Sequence, residues 1–383
     1  MIAVLGECPA LDVYIPSGLR GEGYCEDAAA YTKYLHARML PHWVLERRFF
    51  DKNDNSTLSY HDLCPLTPLL VLNHYWGGLR ERVSWPTTKA LYLMPNIEMF
   101  ELDALHFWQA DVILCKTAIC ADYITKWFAQ QGNPRLTRVI YTRHTSSDVA
   151  TNALASLGSK HEWGKRPKNF ATPLFVHTAG SSTQKGTAHV FNCWLSRPDL
   201  PQLDVYIDPK LYGSMFEKNF DTALSQSSNI KLHFRKLGSV EFGSLIAKTA
   251  FFLCTSNMEG YGHYINHARA AGGLIVTPDV PPMNELIDEA SGILMEAERV
   301  SRPGQFLGGT SRNGLGLRNV TGFVSRFRGT HVCDAVDRAI KKTNVTDRHR
   351  RAWRARQQYL YDTAFFAMKM GELENALLPY HHE

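Results

Sequence analysis

The sequence has no apolar run that approaches the roughly 20 residues a helix needs to cross a bilayer, so no membrane-spanning helix is expected. It also lacks a strong charge of either sign. A net +5 over 383 residues does not call for nucleic acid, though it suits anionic small ligands or a peripheral contact with an acidic membrane surface. None of the eight cysteines forms a C-x-x-C pair. Cys115 and Cys254 sit inside apolar runs, and the set reads as reduced thiols of a cytoplasmic protein. The N-terminus MIAVLGECPALD has neither a basic segment nor a long apolar one, so a secretory leader is not expected. No solenoid-type repeat is visible.

What remains is the balance of a folded protein, with 44% hydrophobic and 21% charged residues and length for two domains. Short apolar runs alternate with helical patterns. Ile2–Leu5, Pro68–Leu72, Ala90–Met94, Val112–Cys115 and Arg138–Tyr141 read as buried strands, and Ala28–Leu40 and Ile119–Gln130 as helices between them. The polar stretch Thr145–Ala171 reads as a crossover with one short helix around Asp148–Leu157. Alternation then restarts. Strands are expected at Pro173–His177, Leu203–Ile207, Ile230–Phe234, Phe251–Cys254 and Leu274–Val276. Helices are expected near Gly186–Leu195, Lys210–Ser225, Val240–Lys248 and His263–Ala271, and two more at Asp334–Lys342 and Asp347–Leu378. Two successive α/β halves imply two doubly wound, Rossmann-like domains facing across a cleft.

The most informative stretch is Phe251–Leu286, FFLCTSNMEGYGHYINHARAAGGLIVTPDVPPMNEL. A buried strand runs into the loop Thr255–Gly262, and a helix opens near His263. Gly260 and Gly262 let the backbone approach a ligand with no Cβ in the way. The amides and dipole at the start of the helix suit a diphosphate. Glu259 is placed to accept hydrogen bonds from sugar hydroxyls; a plain strand–turn–helix with a solvated carboxylate is the competing reading.

This segment resembles the donor-site signature of glycosyltransferase family 4, a group of GT-B enzymes. Ser256, Glu259, Gly260, Tyr261, Gly262, Gly272 and Glu285 match it. The resemblance implies that Glu259 faces the donor sugar. It also puts His267 where the family's ribose-binding glutamate stands. The strand ending at His177 leads into TAGSSTQKGTAHVFNCW, which resembles the family's diphosphate-gripping turn. Lys185 falls on the family's lysine, while Gly180 and Ser181 stand where the family has an arginine, followed by Ser182. The stretch preceding the Glu motif resembles the family's base-binding segment, with Leu237, Gly238 and Ser239 as candidates. In the first half, the loop Pro16–Gly23 falls where GT-B enzymes place a glycine-rich loop, and the resemblance implies that Gly21 and Gly23 lie near the donor phosphate and the acceptor. Asn96 and Glu98, in ALYLMPNIEMF, and His74, in VLNHYWGG, are candidates beside the sugar. A helix-start carboxylate favoured by the dipole is the plainer reading of Glu98.

The sequence thus implies an α/β protein of the GT-B class, with a C-terminal helix returning to the first domain. The expected domains are an acceptor-side domain at 1–150, a linker at 151–172, a donor domain at 173–345 and C-terminal helices at 346–383. The expected function is sugar transfer, by a hexosyl- or pentosyltransferase, from a UDP- or GDP-linked donor to a glycan or other hydroxyl acceptor, with retention carried over from the family. No cofactor or obligatory metal is expected. His263 and His267 share a helical face, but H-E-x-x-H is absent. Two alternatives stay open: a sugar- or nucleotide-binding partner subunit without transfer, and a GT-B-shaped sugar-nucleotide epimerase. The segment Arg338–Arg356 carries eight Lys/Arg with Trp353. It reads as a solvated helix face, with anionic lipid or nucleic acid as competing readings.

Overall fold

Strands such as LLVL and VILC carry no polar residue, and a strand of that kind is stable only with both faces covered. The computed structural model describes residues 1–19, 22–75, 78–81, 84–98, 102–158, 168–302, 305–310 and 313–377. It builds these runs into two six-stranded sheets. The described chain divides into two compact units, one formed by Met1–Ser146, Arg302–Val320 and the chain from Asp362 onward, the other by Ser147–Ser301 and Thr321–Tyr361.

In the first unit, the strands are β1 (Leu11–Ile15), β2 (Ala37–Pro41), the hairpin strands β3 (Arg48–Asp51) and β4 (Ser56–Ser59), β5 (Leu69–Leu72), β6 (Leu91–Met94), β7 (Val112–Cys115) and β8 (Arg138–Tyr141). The sheet order is β2-β1-β5-β6-β7-β8, and every pairing in it is parallel. Phe366, Met370 and Leu373, on the helix Val345–Leu377, complete this unit's core against Tyr31, Leu70, Leu72 and Leu114. The segment 302–320 belongs here too: Trp127 Nε1 donates to the Leu315 carbonyl at 2.7 Å.

In the second unit, β9 (Phe175–Gly180), β10 (Leu203–Ile207), β11 (Ile230–His233), β12 (Phe251–Leu253), β13 (Leu274–Pro278) and β14 (Ile293–Met295) take the order β11-β10-β9-β12-β13-β14, again with every pairing parallel. Its core is aromatic. Phe175, Phe191, Trp194 and Phe251 are all fully buried. The helix Val149–Leu157 packs on the helix Ser239–Lys248 so closely that a Cβ on Gly243 would meet the Val149 carbonyl at 2.2 Å.

Three expectations about elements need correction. Ile2–Gly6 is a short helix, and the first strand is Leu11–Ile15; a brief apolar run does not distinguish the two by periodicity. The helix expected over Ala28–Leu40 ends at Tyr34, and Ala37–Pro41 is an edge strand. The pattern Lys210–Ser225 is two helices, Pro209–Met215 and Glu217–Ser225, joined at Phe216.

The expectation of eight reduced thiols also fails. Cys8 is bonded to Cys64 and Cys193 to Cys333. The partners lie 56 and 140 residues apart, so no local spacing announces them. The argument for a cytoplasmic compartment from reduced thiols therefore loses its basis. Among the described residues, no helix is long and apolar enough to cross a membrane.

Candidate functional site

In a doubly wound sheet, ligands settle outside the carboxyl ends of the strands, where the strand order reverses. In the second unit that point lies between β9 and β12. The chain moves from β9 outward through β10 to β11, then returns to lay β12 on the other side of β9. The residues that follow these two strands are the turn from Gly180 to Gly186 and the loop from Cys254 to Gly262.

These two segments are stitched together. The Asn257 amide donates to the Gln184 carbonyl at 2.7 Å, and Thr255 Oγ1 donates to the Lys185 carbonyl at 3.0 Å. Gly186 takes φ +65°, and a Cβ there would meet the Thr255 carbonyl at 2.2 Å. Only glycine fits both the backbone angle and the space. Gly262 takes φ +108°. Each of these glycines caps a helix, Thr187–Ser196 and His263–Ala270, and neither cap supplies a side-chain acceptor. Two helix starts without side-chain caps therefore open at the carboxyl end of this sheet, an arrangement suited to an anion.

Between them lie two opposite charges. Lys185 Nζ is 2.5 Å from Glu259 Oε1, with the side chains 15% and 13% exposed. Ser256 Oγ donates to the same Oε1 at 2.5 Å and stands 2.6 Å from the Tyr264 hydroxyl. The Tyr264 ring lies under the Lys185 ammonium, 3.5 Å from centroid to Nζ. Burial, and then the nearby Cys254 and Glu259, push the Tyr264 phenol well above its usual pKa, so it remains a donor. Beneath the turn, His177 is fully buried, and burial pulls its pKa down to about 4.

The structure thus brings Lys185 together with Glu259, on the loop that ends at Gly262, while the His263 ring lies against Tyr261 and His267. Gly260 lies on the same loop, and Gly180, Ser181 and Ser182 lie on the facing turn, where the Gln184 amide donates to Ser182 Oγ at 3.2 Å. The Tyr261 side chain is in the core beneath the loop, 3% exposed. His267 is turned inward too, at 7% exposure, with its ring 5.7 Å from Phe242 and 6.4 Å from His263. Leu237, Gly238 and Ser239 follow β11, two strands from β9, where Gly238 caps the helix Ser239–Lys248 that carries Phe242. Tyr264 and Gly186 escaped the sequence reading. The Lys-Gly pair opening a helix was the available signal for Gly186; nothing local marks Tyr264.

The corresponding point in the first unit lies between β1 and β5. Asn73 and His74 follow β5. The Asn73 side chain accepts from the Asn96 amide at 3.1 Å and lies 3.0 Å from His74 Nδ1. Tyr24 joins them; its phenol is raised in pKa first by burial, with the charge of Glu98 adding, while a hydrogen bond with Asn96 opposes the shift. Glu98 is 7% exposed. Asn96, Glu98 and His74 therefore share one neighbourhood, into which Gly23 leads on the helix Glu22–Tyr34; Gly21 lies outside the described residues. Sequence reading also missed a buried charge cluster past β7 and β8. There Asp27 bonds Lys116 Nζ at 3.0 Å and His144 Nε2 at 2.9 Å.

These two sheets and their helices define the class as a two-domain α/β protein of the GT-B fold. No known family description matches the chain, and no curated protein matches its sequence. Solved structures do resemble it. An α,α-trehalose 6-phosphate synthase from Burkholderia multivorans is 10% identical with a TM-score of 0.63, covering 98% of both chains. Sucrose-phosphate synthase from Thermosynechococcus elongatus is 13% identical with a TM-score of 0.60, covering 97% of this chain and 100% of that one. HepE from Anabaena, solved in complex with UDP and glucose, is 12% identical with a TM-score of 0.56, covering 96% of this chain and 100% of that one.

Proposed function

We propose that the protein is a glycosyltransferase that moves a sugar from a nucleotide-diphosphate-sugar donor to a hydroxyl acceptor, with retention. The observation that carries this reading is the meeting of Lys185, Glu259 and two helix starts at the strand-order reversal of the second sheet. A diphosphate there would take its hydrogen bonds from amides and its counter-charge from Lys185. As the anomeric carbon–oxygen bond breaks, the electron pair leaves with the nucleoside diphosphate, and these fixed donors stabilise the growing charge. The acceptor hydroxyl forms the new bond at the anomeric carbon and passes its proton to the departing diphosphate oxygen, which has just taken that electron pair. Glu259 orients the sugar through its hydroxyls. Neighbours solved with UDP and glucose and with UDP-2-fluoro glucose support a UDP-linked hexose as the first donor to try.

The inward-turned His267 favours a second reading, a donor-binding protein without transfer. One experiment separates the two. The protein is incubated with UDP- and GDP-linked sugars and a panel of hydroxyl acceptors, and donor binding, nucleotide release and glycosylated product are measured. Product formation that Glu259→Ala abolishes supports transfer. Binding without release or product supports the second reading. An altered sugar with no acceptor added would indicate epimerisation. Lys185→Met should weaken nucleoside diphosphate binding about 10- to 100-fold, the weight of one charge-assisted contact.

A further inference from the structure

Glu259 does not stand alone on its loop. An ionised carboxylate only accepts hydrogen bonds, so Ser256 Oγ, 2.5 Å from Oε1, must spend its one hydrogen there. Ser256 Oγ is then the acceptor in its 2.6 Å contact with Tyr264, and the phenol is the donor. The direction of the chain is fixed: Tyr264 O–H to Ser256 Oγ–H to Glu259 Oε1. The Lys185 ammonium donates to the same oxygen while lying over the Tyr264 ring. Both bonds to Glu259 fall on Oε1, which leaves Oε2 as the oxygen for a sugar hydroxyl. When a diphosphate draws Lys185 away, the Ser256 bond is what still holds the carboxylate.

We propose that Tyr264 is a positioning residue for sugar transfer, its hydroxyl setting the Glu259 carboxylate through Ser256 and its ring seating the Lys185 ammonium. This rests on the donor-site reading above. The two halves of the side chain have separate roles. The hydroxyl governs Glu259 and hence the rate of transfer; the ring governs Lys185 and hence the diphosphate.

Three variants test it in the full-length protein: Tyr264→Phe, Ser256→Ala and the two combined. Tyr264→Phe keeps the ring, so UDP affinity measured by calorimetry should stay within about twofold of wild type, while kcat falls about 10-fold or more, as expected when a reacting group is mis-set. Because Tyr264 acts through Ser256, the double variant should be no slower than Ser256→Ala alone, a coupling that a merely structural residue would not show. Tyr264→Leu, which removes the ring, should weaken UDP binding as well. An unchanged kcat in Tyr264→Phe, or losses that multiply in the double variant, would overturn the proposal. So would a fall in kcat that only follows a fall in melting temperature. Glu259→Ala keeps the two readings apart. If it abolishes transfer while Tyr264→Phe is inert, only the positioning role fails. If it transfers normally, or if wild type binds no nucleoside diphosphate, the donor-site reading falls and takes this proposal with it.

Discussion

The His177 imidazole and the Thr187 hydroxyl meet 2.9 Å apart in the interior, directly under the turn that carries Lys185. The Nδ1 of His177 faces the Leu253 carbonyl at 3.0 Å, which can only accept. Nδ1 therefore carries the proton, and Nε2 accepts from Thr187, so the neutral ring satisfies both of its polar atoms. Burial holds its pKa near 4 in the fold, against about 6.5 in an unfolded chain. Between those values the unfolded state binds the extra proton. The stabilisation is therefore complete above about pH 6.5 and is lost as pH falls toward 4. The full loss is about 3 kcal/mol. Urea denaturation of wild type and His177→Gln from pH 8 to pH 4 should show the wild type losing that much more. Parallel curves would rule the buried histidine out as the source.

Gly186→Ala tests the seam between the two donor loops. The new methyl would lie 2.2 Å from the Thr255 carbonyl and 2.8 Å from Phe327 Cζ, at φ +65°. Neither the angle nor the space accommodates it, so the loops must part. A stability loss of about 1–3 kcal/mol from backbone strain is expected, together with loss of nucleoside diphosphate binding in calorimetry. An alanine variant that melts and binds like wild type would contradict the described backbone.

Asp27 is fully buried between Lys116 and His144. Asp27→Ala strands an ammonium in the interior and should cost about 3–5 kcal/mol, whereas replacing Asp27 and Lys116 together by apolar residues of similar size should cost much less. Denaturation midpoints of the single and double variants decide it; equal losses would show that the pair does not act as a unit.

The bond between Cys193 and Cys333 ties the helix that follows the Lys185 turn to the helix Gly329–Lys341. Serine at both positions should destabilise the second unit by about 2–4 kcal/mol, read as a lower melting temperature under non-reducing conditions. Strong reductant opens the Cys8–Cys64 bond as well, so reduced wild type should melt no higher than the serine variant. If reductant leaves wild type unmoved, the bond is not present in solution.

Much of the second unit was legible because runs such as FFL and LIV are apolar without a break and its helices follow near the expected places; Leu203–Ile207 keeps its expected bounds even with Asp204 inside it. The first unit was less so. Ile2–Gly6 and Ala37–Pro41 are each five residues long, too short for periodicity to separate helix from strand. At the site, Glu259 and Lys185 were visible because glycines mark their loops. Tyr264 was not, because what distinguishes it is a contact with Lys185, 79 positions earlier by residue number. Nor does the sequence show that the His267 ring packs 5.7 Å from Phe242, a residue on the helix Ser239–Lys248.

Every pairing in the two main sheets is parallel, so no strand is joined to its neighbour by a tight turn. β9 pairs with β12 through Phe175 and Phe251, and all of β10 and β11 must be made between them. Contacts so distant along the chain form slowly, because loop closure has to come first. Apolar strands such as FFL and LIV then stay bare during synthesis for longer than they would in a helical bundle, with the accompanying risk of aggregation. Slow, cool expression with chaperones at hand is the regime this topology calls for.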